Sequence, residues 1–196
     1  YKRQLNHEAT RIAAMAIVTK GLPEDSPFSF WDKYTIIVYN QGTGMIDQLP
    51  SMTLKAIGIV RNEVKQAPVS GYNWQAIVSD IVINDSLTEC LDHLDDFSHI
   101  IVLYWMHHAA GIQPPLKVHP MGKQELPLVG LFASRSPHRP NPLGKAMVRL
   151  LTCKDNVLKV EGLDAINGTP VIDIKPYIPG YDSVTDVRMP PWISSI

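Results

Sequence analysis

From Leu54 onward the chain is a series of short apolar runs cut by turn residues. Leu54 to Arg61 and Gln75 to Ile83 are apolar over strand lengths, and Gly71 and Asn73 between them supply turn chemistry, so two strands joined by a loop are predicted. Ile100 to Met106 is an unbroken apolar run rich in β-branched and aromatic side chains, too short to span a membrane as a helix, and predicts a strand buried on both sides. Leu128 to Ala133, Ala146 to Leu151 and Val157 to Leu163 continue the series. Asn167-Gly168 predicts a two-residue type I′ hairpin turn, whose central residues both take positive φ. Beyond it, alternation places Ile172 and Ile174 on one face and Asp173, Lys175 and Tyr177 on the other. Leu87 to Leu94 predicts one short helix with an acidic face, capped by Asp85 or Ser86. Many short strands and one small helix predict a mainly β fold, an antiparallel β-barrel.

The first 51 residues follow a different pattern and predict a small helical and mixed N-terminal extension. His7 to Lys20 is rich in Ala, Met and Ile, with Asn6 as cap and Gly21 and Pro23 as stops, which predicts a helix. Thr35 to Tyr39 predicts a short strand, followed by Asn40-Gln-Gly-Thr-Gly44. That loop lacks the third glycine of a dinucleotide-binding fingerprint, since Asp47 stands there, and no βαβ unit follows it. Pro50 and Ser51 mark the expected boundary between an extension over 1–51 and a barrel domain over 52–196.

Composition narrows the class further. With 45% hydrophobic and 19% charged residues, the chain is neither disordered nor fibrous. No membrane-spanning run is present, because the best candidate, Ala9 to Val18, is too short and carries Arg11. Cys90 and Cys153 are the only cysteines and are far apart, so a reducing cytoplasm is expected rather than a disulfide scaffold. Cys90, His93 and His99 match no closed zinc spacing, and no metal is expected. The net charge of −1 argues mildly against a nucleic-acid partner, but its distribution is uneven. Lys117, Lys123, Arg135, Arg139, Lys145 and Arg149 face only Glu125 between Ala110 and Leu150, whereas Asp80, Asp85, Glu89, Asp92, Asp95 and Asp96 have no base among them between Ser79 and Ser98. Such polarity suits an electrostatic footprint on one face, or contact between two copies of the chain as a homodimer.

The most informative stretch is Gly130-Leu-Phe-Ala-Ser-Arg-Ser-Pro-His-Arg-Pro-Asn-Pro-Leu-Gly144. Pro137, Pro140 and Pro142 fix φ, remove donors and push the residues before them toward extended conformations, so the segment is a stiff loop. Arg135, His138 and Arg139 are thereby held with little entropy left to lose, which suits recognition of an anionic or planar polar ligand. Solvated surface arginines on a proline-rich turn are the plainer reading of the same residues.

This loop resembles the signature of the TsaA-like family, also called TrmO. Two further segments resemble family motifs in the same order: Asp96-Phe-Ser-His-Ile-Ile-Val-Leu-Tyr-Trp-Met-His-His108, and Gly162-Leu-Asp-Ala-Ile-Asn-Gly-Thr-Pro-Val-Ile-Asp-Ile-Lys-Pro-Tyr-Ile-Pro179. The resemblance implies a β-barrel methyltransferase that uses S-adenosyl-L-methionine and acts on threonylcarbamoyl-adenosine beside the anticodon of tRNA. It implies that His107, His108, Arg135 and the Asn167-Gly168-Thr169-Pro170 turn hold the cofactor, with Arg135 as an anion clamp. Arg139, Asn141 and Lys145 in the basic segment, and Tyr177 after the third motif, are expected to contact substrate. The chain departs from the pattern where Asn167 replaces an aspartate, and where Gln66 to Trp74 lacks a Pro-Arg-Gln segment. No residue is legible as a general base. Asp173 and Lys175 read equally well as an ordinary ion pair, and His107 as a polar residue closing a strand. Two other functions fit the chain: adenosylmethionine-dependent methylation of a small molecule or protein, and a non-enzymatic barrel that binds RNA or a partner.

Overall fold

The computed structural model describes residues 17–18, 35–37, 51–66, 68 and 72–195. The strands are β1 (Ile17–Val18), β2 (Thr35–Ile37), β3 (Thr53–Lys55), β4 (Gly58–Arg61), β5 (Val78–Ile83), β6 (His99–Trp105), β7 (Lys117–Val118), β8 (Val129–Gly130), β9 (Leu143–Lys154), β10 (Val157–Glu161) and β11 (Pro170–Pro176). Six of them close an antiparallel barrel in the order β10-β5-β4-β11-β6-β9. The expected barrel is therefore present. β1, β2 and β3 form a separate three-stranded sheet, and β7 pairs with β8.

Alternation in the sequence explains the walls. Along β9 the inward residues Gly144, Ala146, Val148 and Leu150 are buried while Leu143, Lys145, Met147, Arg149 and Leu151 face outward. β6 has no polar face: Ile100, Val102 and Tyr104 enter the core, and Ile101 and Trp105 on the opposite parity are buried as well. Val60, Ile81, Ile83, Leu158, Val160 and Val171 complete the interior. Their burial out of water is the main force closing the barrel.

Several expectations are corrected. The run Leu54 to Arg61 breaks between β3 and β4, where the Ile57 N–H turns to the Val171 carbonyl at 2.8 Å, and β3 pairs instead with β2. The helix expected over Leu87 to Leu94 is a 3-10 segment, Asp85–Leu91, and a further turn, Leu94–Asp96. Its cap is Asn84, whose side chain accepts the Ser86 N–H at 3.0 Å, and His93 at φ 63° separates the two pieces. Only Val129–Gly130 of Leu128 to Ala133 is strand, because Leu131–Ala133 coils into a 3-10 turn closed by the Ser134 hydroxyl on the Leu131 carbonyl. The helix over His7 to Lys20 lies outside the described residues except for Ile17–Val18, which is strand. The loop Asn40 to Gly44, Pro50 and Gly71 also lie outside them.

Asn167-Gly168 is not a hairpin. β11 lies between β4 and β6 rather than beside β10, and of the two residues only Gly168 has positive φ, 83°. The turn is instead bonded from Thr169 N–H to the Ile166 carbonyl at 3.2 Å. The two-residue hairpin is Asp155-Asn156 between β9 and β10. The alternation expected along β11 holds from Asp173 onward, with Ile174 on the core and Asp173 and Lys175 on the other face, but a bulge between Val171 and Asp173 shifts the register so that Val171 also packs on the core. Asp173 and Lys175 form the surface ion pair at 2.7 Å. Cys90 and Cys153 are free thiols. Among the described residues no helix is long and apolar enough to cross a membrane.

Asn167 holds the loop after β4 through its Oδ1, which accepts the Asn62 N–H at 3.2 Å, while its own N–H donates to Val64. Asn167→Asp keeps that acceptor and should lower Tm by no more than a degree or two, on the scale of a surface substitution. A thermal melt showing a larger loss would mean that the amide NH2 group carries the turn.

Candidate functional site

β6, the signature loop and the segment before β11 converge on one end of the barrel. There a cavity of about 260 Å³ is lined by Trp74, Tyr104, Met106, His107, His108, Ala109, Pro137, His138, Asp164, Ala165, Ile166 and Thr169. The three ordered motifs, distant in sequence, each contribute to its walls. The strand end is tied to the loop by Met106 N–H donating to the Pro142 carbonyl at 2.7 Å. Beyond β6 the chain coils through His107–Ala109, which sets the two imidazoles edge to face with centroids 4.4 Å apart. Burial, and then the neighbouring His108, lower the pKa of His107, against a hydrogen bond from its ring to the Trp105 backbone that raises it. At neutral pH His107 is an uncharged ring.

The polar anchor of the cavity is a pair that motif reading alone does not isolate. The Tyr104 hydroxyl donates to Asp164 Oδ1 at 2.6 Å and also lies 3.1 Å from the Asp164 carbonyl. Burial raises the carboxyl's pKa above the ordinary aspartate value, while the Tyr104 hydrogen bond, the residue's own backbone and the Arg135 charge pull it back down. The Tyr104 pKa moves far upward, chiefly by burial and then by the Asp164 charge, so the phenol keeps its proton and remains a donor. Gly144 sits across from Tyr104 in the β6–β9 register, and its missing side chain leaves the space that the Tyr104 ring fills.

Asp164 and Trp74 also line an adjoining groove that holds Arg135 and Lys145. Arg135 is exposed there, with its guanidinium donating to the Lys145 carbonyl at 3.3 Å. The structure thus gathers His107, His108 and Thr169 in the cavity and Arg135 and Lys145 beside it. The rest lie elsewhere. The Asn167 side chain borders a polar groove with Arg61 and Asp80, and the N–H groups of Asn167, Gly168 and Thr169 are taken by the carbonyls of Val64, Val60 and Ile166. Pro170 is buried at the start of β11. Arg139 braces the loop itself, donating to the Ser134 carbonyl at 3.1 Å and lying 5.5 Å over the Phe132 ring. Asn141 is exposed and its carbonyl accepts the Leu143 N–H. Tyr177 is bonded to the Ser183 hydroxyl at 2.7 Å, away from the cavity.

A closed six-stranded barrel with a rim cavity built by these motifs is an architecture shared with solved proteins. TrmO from P. aeruginosa superimposes with a TM-score of 0.57 at 28% identity, over 74% of this chain and 62% of that one. Residues 60–183 match the model of the tRNA-methyltransferase O N-terminal domain, and the chain belongs to that family. An S-adenosyl-L-methionine-binding protein of Archaeoglobus fulgidus is 43% identical over 140 residues, covering 70% of this chain and 97% of that protein. The human tRNA (adenine(37)-N6)-methyltransferase is 39% identical over 97 residues, covering 50% of this chain. This chain spans 62% of the TrmO crystal structure and 22% of the human relative.

Proposed function

We propose that the chain binds S-adenosyl-L-methionine in the rim cavity and transfers its methyl group to the N6 nitrogen of threonylcarbamoyl-adenosine next to the tRNA anticodon. The observation that carries this reading is the convergence of three separate family motifs on one cavity. The names of the archaeal and human relatives supply the cofactor and the acceptor.

The residues present suit a ligand with an adenine, a sulfonium, an ammonium and a carboxylate. A carboxylate at Asp164 matches a cation, and apolar walls at Met106, Ala165 and Ile166 match a thioether stem or ring. His138 Nδ1 is enclosed without a hydrogen-bond partner. Bound in that cavity, the sulfonium supplies an already activated methyl group. Asp164 then holds the cationic portion, Arg135 takes the carboxylate in the adjoining groove, and the neutral His107 ring borders the pocket without adding positive charge. The protein contributes alignment and exclusion of water. The exposed cations Lys117, Lys145 and Arg149 are suited to phosphates.

The unpaired apolar residues Leu143, Met147 and Leu151 on the outer face of β9 support a homodimer. Two free cysteines support a cytoplasmic location. Residues 52–196 hold every motif and are the unit expected to bind cofactor.

Incubating tRNA with the protein and labelled adenosylmethionine, followed by mass spectrometry of nucleosides, tests the proposal. Label in a methylated threonylcarbamoyl-adenosine supports it, and label only in a small acceptor overturns it. Arg135→Lys should weaken cofactor binding by ~1 kcal/mol, since an ammonium lacks the planar fork but the native guanidinium is solvent-exposed. Calorimetry with identical affinities for both proteins would remove Arg135 from the site.

A further inference from the structure

The signature loop has a second cavity, and it is larger than the first. About 680 Å³ opens between the loop, the turn Pro120–Gly122, and Trp192 and Ile193 of the C-terminal segment. That volume falls within the ~300–1,000 Å³ typical of small-molecule sites. The two cavities meet at Pro137 and His138, which line both.

Few polar groups remain open in this second space. His119 Nδ1 is committed to the Leu126 carbonyl at 2.7 Å and the Ser134 hydroxyl to Leu131 at 2.7 Å. His138 Nδ1, enclosed at the junction, has no partner. Arg135 stands at the edge, its guanidinium donating to the Lys145 carbonyl at 3.3 Å. Flat apolar surfaces from an indole and two prolines, with the His138 ring beside them, describe a slot for a planar heteroaromatic ring. Trp192 lies beyond residue 183, where the family match ends, so this wall belongs to the chain's own C-terminal segment.

We propose that the second cavity receives the acceptor nucleobase, with Trp192 as its stacking wall and the His138 ring beside it at the junction with the first cavity. The assignment rests on the methyl-transfer reading above. It gives donor and acceptor adjoining cavities that meet at Pro137 and His138, and it replaces Tyr177, which bonds Ser183 instead, as the aromatic contact to substrate.

The test uses the full chain and a short anticodon stem–loop RNA, made with threonylcarbamoyl-adenosine or with plain adenosine, in fluorescence anisotropy titrations. Trp192→Ala should lose about 10-fold in affinity for the modified RNA, the scale of one base–aromatic stack, while Trp192→Phe retains most of it. Adenosylmethionine binding by calorimetry should be unchanged in both, which also shows that they are folded. If Trp192→Ala binds and methylates the modified RNA as the wild type does, the cavity assignment falls while the proposed function stands. If the wild type methylates no RNA but does methylate another acceptor, the proposed function falls and the nucleobase assignment falls with it.

Discussion

Gly144→Ala should cost the protein ~1–3 kcal/mol of stability and most of its cofactor affinity, an effect out of proportion to a single methyl group on a strand. Tyr104 and Gly144 face each other across the β6–β9 ladder, and a Cβ built on Gly144 would clash with the Cε2 and Cζ carbons of the Tyr104 ring and lie 2.7 Å from its hydroxyl. The ring can yield only toward the cavity that it lines, at the cost of its 2.6 Å bond to Asp164. The added carbon must therefore drive the ring out of its position, which is the overpacking case in a close-packed core. Moving the ring breaks the Tyr104–Asp164 bond and reshapes the cavity wall, so stability and binding fall together.

A double-mutant cycle separates this steric account from a generic intolerance of substitution in β9. Tyr104→Ala empties the space that the new methyl group needs, so Gly144→Ala should cost much less stability in the Tyr104→Ala protein than in the wild type. Thermal melts of the four proteins measure the coupling. Equal costs in both backgrounds would show that the ring and the glycine do not compete for the same space.

Legibility in the sequence follows how local each determinant is. The alternation in β9 and the unbroken apolar run of β6 are properties of the segments themselves, and both strands form where the pattern places them. The start of β11 is different, because the bulge after Val171 accompanies pairing with β6, some 70 residues earlier, and puts Val171 on the same side as Ile174, which local alternation does not foresee. Asn167-Gly168 misleads for a related reason. Its local chemistry favours a turn, which is present, but only the strand order decides whether the flanking strands pair. The site divides in the same way. The motifs lead to His107, His108 and Thr169, and to Arg135 and Lys145 beside them. Asp164 stands inside a recognised motif, yet its partner Tyr104 reads as one more apolar residue of a buried strand until the barrel closes and joins positions 60 residues apart. Trp74 comes from the segment that departs from the family pattern, where no motif points to it.

Asp164→Asn should reduce adenosylmethionine affinity by ~10- to 100-fold, the scale of a charge-assisted hydrogen bond removed from a partly desolvated site. The variant preserves shape, and its amide oxygen still accepts from Tyr104, so the loss reports the charge. Titration of the wild type gives an independent measure of the same charge. Because the Asp164 pKa is raised, chiefly by burial, binding of a cation at this carboxylate should weaken as the pH falls through that raised value, above the range of an ordinary aspartate. Folding stability from this group runs the opposite way: it is fully present below the unfolded carboxyl pKa and is lost as the pH rises through the folded one, since the folded state holds the proton more tightly. Tyr104→Phe removes the donor that helps keep the carboxylate ionised, so it should move the midpoint of the binding curve to higher pH while leaving affinity at alkaline pH closer to wild type. Calorimetric titrations across pH, with Asp164→Asn as the flat reference, measure both effects. A wild-type curve as flat as that of Asp164→Asn would take Asp164 out of the contact with the cationic part of the cofactor.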